Sequence, residues 1–168
     1  MKKMFFALLT LSLALTASAK PTTEAEVVNM LMTVNTQEMN LAKIARTRAE
    51  NKEVKDYAEK MFKEHAENND KAAKLRANQK IGLDKTAASE KYKFTKEDKS
   101  EKLKKLSGKE FDKEYIQTQV EMHQNVLKRL EDTLIPNTQN KELKAMLSTT
   151  KESVQQHLKH AQNIQSKL

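Results

Sequence analysis

Residues Ile116–Leu134 read IQTQVEMHQNVLKRLEDTL, and the apolar positions of this stretch decide the fold. Ile116, Val120, His123, Leu127, Leu130 and Leu134 follow one another at steps of four, three, four, three and four. That spacing keeps side chains on one seam of a helix packed against other helices. Five of the six are aliphatic. The sixth, His123, puts a polar ring where it must find a partner inside the protein or cost free energy.

Three further segments carry the same interrupted seam. After Pro21, Thr23 and Glu26 stand in capping-box spacing and open a first helix whose seam is Val27, Leu31, Val34, Glu38, Leu41 and Ala45. Asn51 is the expected cap of a second helix, with seam Val54, Ala58, Met61, His65, Asn68, Ala72 and Leu75, running to about Lys80. Gly82, suited to the left-handed turn after a helix, is expected to stop it. Ser107 and Glu110 form another capping-box pair and open the helix that contains the quoted stretch, which Pro136 is expected to end. Asn140 caps a last helix with seam Leu143, Leu147, Thr150, Val154, His157, Ala161, Ile164 and Leu168. Between the second and third helices, residues 83–107 lose the seam and become lysine-rich, with Thr95 and Asp98 as caps for a short helix burying Leu103 and Leu106. A link of that length can carry a chain from one end of a bundle to the other.

Composition agrees with an all-α class. The chain of 168 residues contains only two glycines and two prolines, and few aromatic residues, which disfavours sheet. At the N-terminus Lys2 and Lys3 precede an apolar run from Met4 to Ala14, and Ala17-Ser18-Ala19 matches a signal-peptidase site. Residues 1–19 therefore read as a signal peptide, and residues 20–168 as a single exported, periplasmic domain with no transmembrane segment. The absence of cysteine excludes disulfides, thiolate ligands and a lipid-modified cysteine. Basic residues outnumber acidic ones by 14 to 7 over residues 71–113, against 8 to 10 over residues 20–70 and 7 to 6 over residues 114–168.

At ~1.5 Å of rise per residue, Glu38, His65, His123 and His157 each fall near the midpoint of their helix, within roughly 7 Å of one level. Imidazole is a frequent ligand of zinc, copper and iron, and a carboxylate adds a hard oxygen and a negative charge. The four residues are therefore the expected ligands of one transition-metal ion, which could be zinc, copper, iron or manganese. Glu64, Asn68 and His160 are weaker or second-layer candidates. The structural alternative is a buried Glu38 paired with one protonated histidine, the other rings being satisfied by hydroxyl or amide groups. The methionines near the site, Met61 and Met122, read as adaptable core packing.

The motifs MFKEH (Met61, Glu64, His65), SGKEFDKEY (Gly108, Phe111, Asp112, Tyr115), QVEMHQ (Gln119, His123, Gln124) and HLKHA (His157, Leu158, Ala161) occur in this order. Together they resemble an exported bacterial domain of unknown function in the ferritin-like group, often labelled a predicted outer membrane protein. The resemblance runs from about Glu24 to Leu168. It implies a ferritin-like four-helix bundle with a long connection between helices 2 and 3, and it implies no activity. No alternating strand pattern supports a barrel. Di-iron members of the wider group use Glu-x-x-His motifs, but Phe62, Val120 and Val154 stand three residues before His65, His123 and His157.

The expected function is thus non-enzymatic binding of one metal ion, in metal buffering or envelope stress protection. The alternative is a metal-free structural or interaction protein that docks on an anionic envelope component through its basic middle region. An iron-dependent oxidase ranks third for want of the Glu-x-x-His motif. Nucleic acid is not an expected partner, since no recognition motif or aromatic platform is present. There is likewise no nucleotide-binding glycine loop and no nucleophile motif.

Overall fold

The computed structural model describes residues 23–82 and 99–168. Their regular secondary structure is all helix: α1 (Glu24–Arg48), α2 (Lys52–Asn78), a short α3 (Lys99–Lys104), α4 (Gly108–Arg129) and α5 (Lys141–Gln165). Helix α4 continues through a π turn at Leu130–Leu134 and a last turn at Ile135–Asn137. None of these helices is long and apolar enough to cross a membrane. The expected caps Thr95 and Asp98 and the expected signal segment lie outside the described residues.

Of the four expected N-caps among the described residues, three form. Thr23 Oγ1 accepts the Glu26 N–H at 3.2 Å while Glu26 Oε2 accepts the Thr23 N–H at 2.7 Å, closing a capping box. Asn51 Oδ1 accepts from Glu53 N at 2.8 Å, and Asn140 Oδ1 from Glu142 N and Leu143 N at 3.1 and 3.0 Å. At Ser107 no cap bond forms. A cap needs helical backbone directly after it, and Gly108 there adopts φ 59°, in the left-handed region. The end of α2 also differs from expectation. The helix stops at Asn78, and Lys80 rather than Gly82 takes the left-handed conformation, at φ 52°. The Ile81 N–H then reaches back to the Arg76 carbonyl at 3.0 Å, the long closing bond of a helix C-terminal motif.

Pro136 does not end α4 where the sequence predicts. Proline has no N–H and its ring crowds the carbonyl four residues back. The preceding turn widens to π geometry, with the Ile135 N–H donating to the Leu130 carbonyl, and helical backbone runs through Pro136 to Asn137.

Contacts at the helix ends fix the directions. At one end Asp112, near the start of α4, takes the N–H groups of Glu50 and Asn51 at the α1–α2 turn, and Lys167 beyond α5 pairs with Glu53 at 2.7 Å. At the other end the Asn140 amide reaches both Glu24 and Gln79 at 3.4 Å. Helices α2 and α4 therefore run the same way, and the chain leaves α2 at one end of the molecule and enters α4 at the other. Helix α1 packs chiefly on α2, and α4 on α5, with α2 against α5 and α1 against α4 completing the set.

The hydrophobic core is divided. One cluster, built around Leu41, Tyr57, Met61, Phe111, Tyr115 and Ile116, fills the end that holds the α1–α2 turn. A second, built around Val27, Leu31, Leu130, Leu134, Leu143 and Leu147, fills the opposite end. Between them lies a buried polar layer.

Candidate metal centre

The four interrupted seams meet in that layer. Glu38, His65, His123 and His157 keep 1%, 5%, 2% and 1% of their surface exposed, so none can satisfy its polar atoms with bulk water. One ring nitrogen each from His65, His123 and His157 lies within 4.8 Å of the other two, an arrangement that could hold a metal ion. Ring centroids stand 6.1 Å apart for His65 and His123, 5.6 Å for His65 and His157, and 5.3 Å for His123 and His157.

Hydrogen bonds to the far side of each ring fix which nitrogen carries the proton. His123 Nδ1 sits 2.8 Å from the carbonyl of Gln119 in its own helix. A carbonyl only accepts, so Nδ1 holds the hydrogen and the neutral ring leaves Nε2 bare. His157 Nε2 sits 2.5 Å from Glu64 Oε2 and donates to it, leaving Nδ1 bare. His65 Nδ1 donates to Asn35 Oδ1 at 2.9 Å, and its Nε2 is buried with no hydrogen-bond partner. The two bare nitrogens of His123 and His157 face each other at 3.3 Å.

Two lone pairs in that position repel unless a proton or a metal cation stands between them. On His157 a proton is disfavoured. Burial, and then the charge of neighbouring His123, lowers His157 to a pKa of about 4, against the upward pull of Glu64. Burial, with repulsion from His123 and His157, also holds His65 well below the ordinary imidazole range. A metal cation could also stand there. Two nitrogens bound at ~2.0–2.1 Å in tetrahedral geometry stand about 3.3 Å apart, the separation found between His123 and His157. A cavity of about 30 Å³, lined by the three rings together with Glu38, Asn35 and Asn68, adjoins them.

Glu38 occupies a different place from the three rings. Its Oε2 accepts from the Gln119 amide at 2.7 Å, and its Oε1 lies 3.9 Å from His123 Nδ1, the nitrogen already committed to the Gln119 carbonyl. It thus backs His123 from the side away from His157. Burial raises its pKa, opposed by His123 and by the Gln119 hydrogen bond. Gln119 extends the network, since its Oε1 accepts from Tyr57 Oη at 3.3 Å. Of the weaker candidates, Glu64 orients His157, Asn68 lines the cavity, and His160 packs edge-on against Tyr57 at 5.2 Å, outside the trio. Sequence reading passed over Asn35, the amide that meets His65. It stands three residues before Glu38, on the same face of α1, and that spacing was the available signal.

Fold and site together define an all-helical protein carrying a buried three-histidine cluster with the capacity to hold a metal ion. The chain belongs to the family described as a domain of unknown function, DUF4142, which matches residues 11–164. Among solved structures it is similar to a DUF305 fragment from Deinococcus radiodurans, with a TM-score of 0.75 at 13% identity over 89% of this chain and 100% of that one. At that identity the likeness is one of fold. No curated protein matches the sequence.

Proposed function

We propose that this is an exported, ferritin-like four-helix-bundle protein that binds one transition-metal ion through His65, His123 and His157, without catalysing a reaction. In this reading it buffers metal or protects the cell envelope under stress. The observation that carries it is the pair of bare nitrogens on His123 and His157 facing each other at 3.3 Å, with the orphaned His65 Nε2 beside them. Glu38 and Glu64 back the rings and offset the charge of a bound cation. Export rests on the expected signal peptide, and the bundle assignment on the helix directions given above.

Purified residues 20–168, refolded with zinc, copper, iron or manganese in turn, should retain one equivalent of at least one metal after desalting and melt at a higher temperature. Retention of no stoichiometric metal, with an unchanged melting temperature for all four, overturns the proposal.

A second reading rests on the basic excess over residues 71–113. In it the protein docks on an anionic envelope component. Binding to anionic vesicles that weakens with salt and ignores chelators would favour it.

A further inference from the structure

A second cavity adjoins the three-histidine cluster on one side. This cavity, of about 310 Å³, opens between α1, α2 and α5, and it shares Leu31, Asn35, Asn68, Thr150 and Ser153 with the small cavity beside the rings. Four of these five side chains are polar and uncharged, and Leu31 is apolar. The one charged residue on the outer cavity is Lys71, exposed at α2, and no acidic side chain lines it. Of the carboxylates of the site, Glu38 borders only the inner cavity, beside His123, and Glu64 lies behind His157.

The chemistry on the two sides of the ion is therefore unequal. Three neutral nitrogen donors would bring no charge of their own to a divalent cation, leaving Glu38 and Glu64 to offset it from behind the rings, and in tetrahedral geometry one position is not supplied by the protein. A passage that offers hydroxyl and amide groups between the apolar Leu31, Ala72 and Met146, with a lysine as its one charge, favours a small anion over a cation.

Resting on the metal reading above, we propose that the bound ion keeps its fourth position open toward the α1/α2/α5 passage and takes a small inorganic monoanion there. The anion enters past Lys71 and between Asn68 and Ser153, and it replaces water on the ion. It displaces none of the histidines, because each is held from behind by Asn35, the Gln119 carbonyl or Glu64.

Cobalt(II) reports the coordination directly through its visible absorption, so the test uses the cobalt-loaded protein titrated with azide. The expected result is a saturable change in the cobalt bands with cobalt stoichiometry unchanged. Two variants probe the route. Lys71→Glu should weaken azide binding several-fold at low salt, with the difference shrinking as salt rises. Ser153→Leu, which narrows the passage, should slow azide binding by roughly tenfold while the cobalt spectrum without azide stays as in the parent. A protein that binds cobalt but whose spectrum ignores azide overturns the open-position proposal and leaves the metal reading standing. If azide binds and neither variant alters its affinity or rate, the assigned route is overturned. A protein that binds no cobalt or other metal overturns both readings.

Discussion

A neutral imidazole has one nitrogen that donates and one that accepts, and in this cluster the donor of every ring is already committed to an oxygen. Asn35 is the least obvious of these partners, and replacing it with leucine removes the bond that orients His65 Nε2 toward the other rings. Second-layer groups of this kind are worth roughly 10–100-fold in metal affinity. Asn35→Leu should therefore weaken zinc binding by about that factor in a calorimetric titration, with circular dichroism unchanged. The same burial sets a pH dependence in the metal-free protein. His65 and His157 have folded-state pKa values below their ordinary 6.5, that of His157 at about 4. The unfolded chain then binds more protons than the folded one across this window, so stability rises with pH. The contribution is fully present above pH 6.5 and is lost as pH falls toward about 4. At ~1.4 kcal/mol per unit, His157 alone accounts for on the order of 3 kcal/mol. Glu38, whose pKa is raised, works in the opposite sense above the ordinary carboxylate range and trims the gain. Urea denaturation in the presence of a chelator at pH 7, 6, 5 and 4 should show this decline, and a flat profile would contradict it.

At the scale of the helix, two residues do work that neither seam nor cap motif announces. Asp112 is buried, and its two carboxylate oxygens accept the Glu50 N–H at 3.2 Å and the Asn51 N–H at 2.9 Å. It satisfies from α4 the amides exposed where α1 ends and α2 begins. Asp112→Ala leaves those donors without a charged acceptor and should cost about 1–3 kcal/mol in chemical denaturation. Lys80 is the converse case, an exposed side chain in a left-handed backbone that glycine adopts without strain. Lys80→Gly should raise stability by up to ~1 kcal/mol, whereas Gly82→Ala, at a position without positive φ, should not lower it by as much. The π turn at Leu130–Leu134 belongs to this scale too. It absorbs Pro136 while keeping both Leu130 and Leu134 in the core.

For the whole molecule, the polar layer divides one core into two, and a bound ion would join them. With each half packed only through four helices crossing the layer, binding energy at the centre acts on the entire fold. Free metal at a hundred times its dissociation constant adds ~2.7 kcal/mol to stability. For a domain of this size that is about 5–10 °C in melting temperature, at ~2–4 °C per kcal/mol. The shift should grow with the logarithm of metal concentration and disappear in His157→Ala, whose loss leaves two rings at most. Differential scanning fluorimetry across a metal series measures both.

The periodicity of apolar residues was enough to determine that the described chain is helical, because burying one stripe per helix is a requirement each segment meets on its own. It also placed Glu38, His65, His123 and His157 at one depth, since rise per residue is constant. What no single segment contains is the rotation of one helix against another. That rotation put Glu38 behind His123 instead of among the three rings, and it set Asn35 rather than Asn68 on His65. It also left the ring nitrogens of His123 and His157 face to face. The tautomers of His65 and His157 follow from partners on other helices, Asn35 and Glu64, and those partners follow from packing, so the chemistry of this site was decided only when the helices came together.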